Sequence, residues 1–118
     1  MLSLSILANA QSANDVPAKL LGKFKVGVNV TRWFCYLQDP KDIKHFESYW
    51  LKDDFDHLKR LGVKFVRLCV SPDVIYDSGK LNSLTLPYLD RAIDKLTGAG
   101  QAVLIDLHDN GQLKLDQP

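Results

Sequence analysis

Three short runs rich in valine, leucine and isoleucine recur along the chain at nearly constant spacing. The runs are Lys25–Thr31, Lys64–Val70 and Ala102–Leu107, and their first residues lie 39 and 38 positions apart. One amphipathic helical pattern separates each run from the next. Strands that alternate with single helices are typical of βαβ units, in which neighbouring strands pair in parallel. The chain is therefore predicted to be an α/β protein with three parallel strands and two connecting helices.

Both helical patterns carry signals that fix their place between the strands. Asp53 and Asp54 put negative charge in the first turn of the first helix, where the helix dipole favours it, and Gly62 follows its last turn. Thr85 is suited to cap the second helix, and Pro87 fits its first turn because an N–H would have no partner there. The apolar positions that we expect to be buried are Leu51, Phe55, Leu58, Leu61, Leu89, Ile93 and Leu96.

The connection after the first strand bears on the choice between two parallel architectures. A glycine-rich phosphate-binding turn at this point would favour an open, doubly wound sheet. The chain instead continues with the run Arg32–Tyr36, and neither GxGxxG nor a P-loop occurs in the sequence. This argues against nucleotide binding, while an open sheet and a closed (β/α)₈ barrel both remain compatible with the pattern. A short additional helix is predicted to begin at Asp39-Pro40.

Polar side chains collect near the carboxyl ends of the predicted strands, where parallel sheets have their functional sites. Because side chains alternate between the two faces of a strand, Asn29, Arg67 and His108 are expected to share one face. The flanking Val66 and Leu68 predict a buried strand, in which an arginine needs an anionic partner. We take Asn29, Arg67 and His108 as candidate binding or supporting residues. The alternatives are a surface residue for Arg67, a hydrogen-bonded core or loop histidine for His108, and a hydrogen-bonded core residue for Asn29.

Three aromatic residues, Trp33, Phe34 and Tyr36, directly follow the first strand. Aromatic faces at the mouth of a barrel are suited to stacking on sugar rings. Packing of this loop against the barrel rim is the alternative, and the sequence does not separate the two. Trp33 is retained as a candidate substrate-binding residue, and Trp50 is expected in the core.

The composition excludes several classes of protein. Apolar residues make up 46% of the chain and charged residues 25%, as in an ordinary folded domain. The net charge is +1 and no basic block occurs, so neither a nucleic acid nor a membrane is expected as a partner. Cys35 and Cys69 lack the CxxC spacing of a zinc site, and neither a metal nor a cofactor is predicted. Cys69 lies in a strand pattern, where a buried, inert thiol is expected.

Residues 1–16 are small and apolar, with no charge before Asp15. Ala8-Asn9-Ala10 has the small-x-small form of a signal-peptidase site, although a basic leader region is missing. The segment is interpreted either as a residual signal peptide or as a flexible N-terminus. The first interpretation predicts a secreted or periplasmic protein.

Five segments resemble glycoside hydrolase family 5, the cellulase family, in their order and spacing. They are Gly27–Asn29 with Trp33-Phe34, Asp54–Val63, Val66–Leu68, Leu89–Asp94 and Val103–His108. The resemblance implies that residues 17–118 are the N-terminal part of a (β/α)₈ TIM-barrel glycosidase domain, with its first three strands and two helices. It also implies a retaining β-glycanase, similar to an endo-β-1,4-glucanase, that hydrolyses O-glycosidic bonds in a polysaccharide or oligosaccharide substrate.

The same resemblance gives roles to two candidates. Arg67 corresponds to an arginine that supports the nucleophilic carboxylate, and His108 corresponds to a histidine that lines the sugar subsite at the cleavage point. Retaining glycosidases use two carboxyl groups about 5 Å apart. In the family these are glutamates on strands four and seven, whereas this sequence has one glutamate, Glu47, in the connection after the first strand. No catalytic residue is therefore assigned in this chain, which is expected to be inactive alone.

An incomplete barrel leaves an unpaired strand edge and uncovered apolar helix faces. This predicts association with the remainder of the barrel or with a second copy. Two other functions remain as alternatives. One is a small, non-catalytic α/β module that binds saccharide or protein. The other is a metal-dependent hydrolase that uses the Asp106-Leu107-His108 motif as ligands.

Overall fold

The structure, a computed structural model, describes residues 15–109, so most of the 1–16 segment and residues 110–118 lie outside it. The helices are α1 (Ala18–Leu21), α2 (Ile43–Ser48), α3 (Lys52–Arg60), α4 (Pro72–Ile75) and α5 (Leu86–Gly98). The strands are β1 (Gly27–Phe34), β2 (Phe65–Val70), β3 (Tyr76–Asp77), β4 (Lys80–Leu81) and β5 (Ala102–Leu107). No helix in this part of the chain has the length and apolar character needed to cross a bilayer.

The three longer strands form one parallel sheet, as predicted from their spacing. The strand order is β1-β2-β5, so β2 lies in the middle. In the chain, α3 precedes β2 and α5 precedes β5, so both predicted connecting helices are present. The short strands β3 and β4 form an antiparallel hairpin that the sequence pattern did not predict. Among the described residues the sheet is open, with β1 and β5 as its edges.

The hydrophobic core lies between one face of this sheet and the helices. Val66, Leu68 and Val70 project from alternate positions of β2 and are fully buried. They belong to one apolar cluster with Leu89 and Leu96 of α5. Burying an aliphatic side chain of this size contributes about 1.5–3 kcal/mol relative to leaving it exposed. The covered face of the central strand therefore contributes several kcal/mol-scale burial terms to the stability of the fold.

The predicted apolar stripe of α3 is confirmed in its middle and wrong at its ends. Leu58 is buried, and Phe55 packs edge-on against Trp50 with 5.1 Å between ring centroids. Leu51 and Leu61, by contrast, are 64% and 74% exposed. They are the N-cap and C-cap residues of α3, so the helical periodicity that predicted their burial does not extend to them.

The second predicted helix begins after Thr85 as expected, but Thr85 does not cap it, and Ile93 of its predicted buried stripe is half-buried. α5 starts directly after Thr85, has Pro87 in its first turn, and buries Leu89 and Leu96. The Thr85 hydroxyl does not cap the helix, because it donates a hydrogen bond to the backbone carbonyl of Val74. Thr85 therefore fastens α4 to the start of α5.

The short helix predicted after β1 is present as α2, but it begins at Ile43 and not at Asp39. The carboxylate of Asp42 accepts a hydrogen bond from the backbone N–H of His45 at 3.1 Å, which caps the first turn. Asp39 instead accepts from the backbone N–H of Lys41 at 2.8 Å, a contact typical of a turn. The two aspartates therefore have different local roles.

A bulge interrupts the pairing of β1 with β2 near the carboxyl end of β1. Val30 pairs with Leu68, whereas the next paired position joins Phe34 to Val70. β1 thus contains two residues more than β2 over this interval, and such bulges redirect side chains. Because of the bulge, the consecutive residues Trp33 and Phe34 are both buried, which regular alternation would not allow.

Candidate functional site

An arginine and an aspartate meet on the face of the sheet opposite the core. Arg67 of β2 pairs in register with Asn29 of β1, and its neighbour Cys69 pairs with Asp106 of β5. The Arg67 guanidinium lies 2.8 Å from Asp106 Oδ2 through Nη2, and Nη1 donates to Asn29 Oδ1 at 3.3 Å. One side chain on the central strand therefore links both edge strands.

Asp106 is the centre of this group of side chains. Its Oδ2 atom lies 2.8 Å from Arg67 Nη2 and 3.1 Å from His108 Nδ1, and it accepts from Cys69 Sγ at 3.5 Å. Three different side chains therefore contact one carboxylate oxygen. Strand alternation predicts Asp106 on the same face as His108, and the sequence indicates it only as a metal ligand; its contact with Arg67 is a finding of the structure.

His108 directly follows β5 and is fixed at both of its ring nitrogens. Its backbone N–H donates to the carbonyl of Val70 at 2.8 Å, which extends the β2–β5 pairing by one residue. Its Nδ1 contacts Asp106, and its Nε2 lies 2.8 Å from the hydroxyl of Tyr36. The imidazole is therefore held between the connection after β1 and the end of β5.

Tyr36 joins the site from the connection after β1. It is 52% exposed and adopts a positive φ of 56°, which is uncommon for a residue other than glycine. The aromatic run after β1 was the signal for this residue in the sequence, but it did not show which of the three rings would remain at the surface. Tyr36 is the exposed one.

Trp33 is a correction to the predicted site. It is 2% exposed, it stacks against Phe34 and Trp50, and its indole N–H donates to the backbone carbonyl of Phe46 at 2.9 Å. This burial favours the alternative interpretation, in which the loop after β1 packs against the rest of the fold. The physical reason is the bulge in β1, which turns this position toward the helices.

Asn29, Tyr36, Arg67, Cys69, Asp106 and His108 together are called the rim cluster below. The side chains of Arg67, Asp106 and His108 are 37%, 24% and 35% exposed, so the cluster is accessible from solvent. Cys69 lies beneath them and is buried, as predicted for its strand. Burial raises the pKa of the Cys69 thiol, and its hydrogen bond to Asp106 raises it further, while the positive charge of Arg67 acts in the opposite direction.

A cavity of about 390 Å³ adjoins the rim cluster through Tyr36. Its lining includes Arg32, Asp39, His45 and Tyr49. His45 is held in place by a contact of 2.8 Å between its Nε2 and the backbone carbonyl of Arg32. The cavity thus offers aromatic, acidic and basic side chains next to the cluster.

The chemistry available to the rim cluster is binding and charge stabilisation. It supplies a guanidinium, an imidazole, an amide and a phenol, and its single carboxylate is already paired with Arg67. Cys69, Asp106 and His108 also offer three metal-ligating atoms that all lie within 4.8 Å of one another. Glu47 lies elsewhere, on α2 beside a small cavity that is also lined by Tyr88 and Arg91.

The chain matches no protein-family model. It is similar to a curated protein described as a probable glucan 1,3-beta-glucosidase A from Aspergillus clavatus, with 35% identity over 71 residues. The matched segment makes up 55% of this chain and 16% of the relative, so the chain spans less than a fifth of the relative's length. This similarity relates part of the chain to a glycosidase.

Proposed function

We propose that this chain forms the first three strands of a (β/α)₈ β-glycosidase, similar to family 5, that acts on β-linked glucans. The observation that carries the proposal is the convergence of Arg67, His108 and Asn29 on one face of a parallel sheet, at the carboxyl ends of the strands. The partial similarity to a glucan 1,3-beta-glucosidase supports the same substrate class.

In this proposal the rim cluster binds the sugar next to the cleaved bond. Arg67 presents a positive charge that favours ionisation of a neighbouring nucleophilic carboxylate, and Asp106 holds the guanidinium in place. When sugar binds, Nε2 of His108 exchanges its contact with Tyr36 for a sugar hydroxyl group, while Nδ1 stays oriented by Asp106. The exposed ring of Tyr36 and the adjoining cavity accommodate a further sugar unit.

The two carboxyl groups that cleave the bond belong to other parts of the proposed barrel. A retaining mechanism needs two carboxyl groups about 5 Å apart, at the sugar. Glu47 is the single glutamate of this sequence, and it lines a different cavity from the one beside Tyr36. The 118-residue chain alone is therefore proposed to bind glucan without hydrolysing it, and the complete enzyme to act outside the cytoplasm, secreted or periplasmic.

The exposed apolar side chains of the edge strand β5 indicate that this strand pairs with another one. Ile105 and Leu107 are 53% and 49% exposed, and Leu104 on the opposite face is exposed as well. An edge strand with apolar side chains on both faces tends to pair with another strand. We propose that β5 pairs with the remainder of the barrel, or with a second copy when the chain is isolated.

The proposal is tested by binding of β-glucan oligosaccharides to the full chain, measured by calorimetry. Hexasaccharides with β-1,3 and with β-1,4 linkages are compared, with an α-1,4 hexasaccharide as the reference ligand. We expect binding of at least one β-linked oligosaccharide, no binding of the α-linked one, and no release of reducing sugar. Arg67→Met and His108→Gln should each weaken binding about ten-fold or more, because each removes a hydrogen-bonding group from the site.

Two matched variants serve as controls. Arg91→Met removes an arginine that packs over the ring of Tyr88 on α5, and His57→Gln removes an exposed histidine of α3. Both should leave the affinity unchanged. Equal affinity for α- and β-linked oligosaccharides, or equal loss in the control variants, would contradict the proposal.

A further inference from the structure

We propose that Cys69, Asp106 and His108 form a binding site for one Zn²⁺ ion. The inference shares Asp106 and His108 with the proposed sugar site, but its test measures metal binding and uses no sugar, so the two proposals can fail separately. It extends the Asp106-Leu107-His108 motif by a thiol from the neighbouring strand, which the sequence spacing alone did not reveal.

Two of the three distances between the ligand atoms lie close to those around a tetrahedral zinc ion. Zinc bonds of about 2.3 Å to sulfur, and about 2.0–2.1 Å to nitrogen and oxygen, give separations of about 3.3–3.6 Å between ligand atoms. Cys69 Sγ lies 3.5 Å from Asp106 Oδ2, and His108 Nδ1 lies 3.1 Å from the same oxygen. All three atoms lie within 4.8 Å of one another. Small side-chain adjustments therefore suffice to coordinate the ion.

The register of the sheet holds two of the ligands rigidly. Cys69 and Asp106 are directly paired positions of β2 and β5, and His108 is fixed by the hydrogen bond from its backbone N–H to Val70. Cys69 is buried beneath the site, while Asp106 and His108 are partly exposed. The site is therefore approached from the side of Asp106 and His108, and water is the fourth ligand in the proposed site.

The residues around the three ligands also match a metal site. A histidine that binds zinc commonly uses its other ring nitrogen to hydrogen-bond a protein group. Here the Tyr36 hydroxyl contacts Nε2 of His108 at 2.8 Å, which directs Nδ1 toward Cys69 and Asp106. On zinc binding the thiol proton goes to solvent, and Nδ1 exchanges its contact with Asp106 for the ion.

The positive charge of Arg67 is expected to lower the affinity of the site for zinc. The guanidinium lies 2.8 Å from the same carboxylate oxygen, although that oxygen has a second lone pair available to an ion. A positive charge so close to the site lowers the affinity for a cation. This gives the proposal a distinctive expectation, since loss of Arg67 should strengthen zinc binding while loss of a ligand should weaken it.

The test is calorimetric titration of the full chain with ZnCl₂, followed by Co²⁺ as a spectroscopic probe. We expect one ion per chain and, for Co²⁺, a thiolate-to-metal absorption band in the near ultraviolet. Asp106→Asn and His108→Gln should each weaken zinc binding at least about ten-fold. Arg67→Gln should strengthen it about five- to ten-fold.

A matched control separates this site from adventitious binding. His57→Gln leaves the three ligands and their surroundings intact and should bind zinc as the parent chain does. Cys69→Ser should abolish the near-ultraviolet band. Should that buried variant fail to fold, protection of Cys69 from alkylation by bound zinc in the parent chain replaces it. Absence of zinc binding, unchanged affinity in His108→Gln, or weaker binding in Arg67→Gln would each overturn the proposal.

Discussion

The two faces of the central strand β2 differ in how their side chains are stabilised. On the covered face, Leu68 and its apolar neighbours are fully buried against the helices, and their contribution does not depend on direction. On the open face, Arg67 is held by directional contacts to Asn29 and Asp106 and remains partly exposed. The comparison shows that one face maintains the fold while the other is available for binding.

The largest expected effect is on the covered face. Leu68→Ala should lower the free energy of unfolding by about 3 kcal/mol, because it removes a fully buried side chain and leaves a cavity. Urea denaturation measures this change. Leu68→Met, which keeps the side-chain volume, should lower the free energy of unfolding by less than about 1.5 kcal/mol. If Leu68→Ala does not fold, the unfolding of Leu68→Met can still be measured. Ile105→Ala is the control, because Ile105 is exposed. If it lowers the free energy of unfolding as much as Leu68→Ala does, buried and exposed positions do not differ in their contribution to stability.

A smaller effect is expected on the open face. Asp106→Asn removes the charge that Arg67 contacts, and should cost about 1 kcal/mol, since the pair is partly exposed and screened by solvent. In a double-mutant cycle with Arg67→Met, the loss should be largely absent when Arg67 is already gone. Additive losses would show that the two side chains act independently, and would weaken the interpretation of Asp106 as the centre of the rim cluster.

The smallest effect on stability is expected for an exposed ion pair that lies outside the three-stranded sheet. Lys41 Nζ lies 2.6 Å from Asp77 Oδ2, and both side chains are about half exposed. The hydrogen bond from Lys41 lowers the pKa of Asp77 below 3.8, and the bond to Asp77 raises the pKa of Lys41 above 10.5. The stabilisation from Asp77 is thus present above pH 3.8 and is lost as the pH falls through its lowered pKa. The stabilisation from Lys41 is present below pH 10.5 and is lost as the pH rises through the raised pKa of Lys41.

Titration of Asp77 followed by NMR tests this ion pair. The midpoint should lie below 3.8 in the parent chain and move up toward that value in Lys41→Met or at high salt. Lys44→Met, on the exposed side of α2, is the matched control and should leave the midpoint in place. A midpoint that responds to neither change would mean that the contact does not persist in solution.

The sequence allowed a good prediction of the elements and their pairing, but a weaker one of the site. The strand patterns and the start of α5 beside Pro87 followed from local signals that act within a few residues, although the predicted cap by the Thr85 hydroxyl is wrong. Leu61 was predicted as buried because the apolar period continued past the end of α3, where the chain had already left the helix. For Trp33 the sequence left sugar stacking and packing of the loop as alternatives, because no local signal reveals the bulge in β1.

By itself, the sequence determined the α/β class, the parallel sheet and the placement of Arg67 and His108 on one face, because strand alternation and helix caps are local properties of the chain. The tertiary structure alone decided that Asp106 joins these two side chains, that Tyr36 reaches His108, and that Cys69 lies beneath them. These contacts join residues from different strands and loops. They depend on the register between strands and on the bulge in β1, which only the packing of the whole sheet fixes.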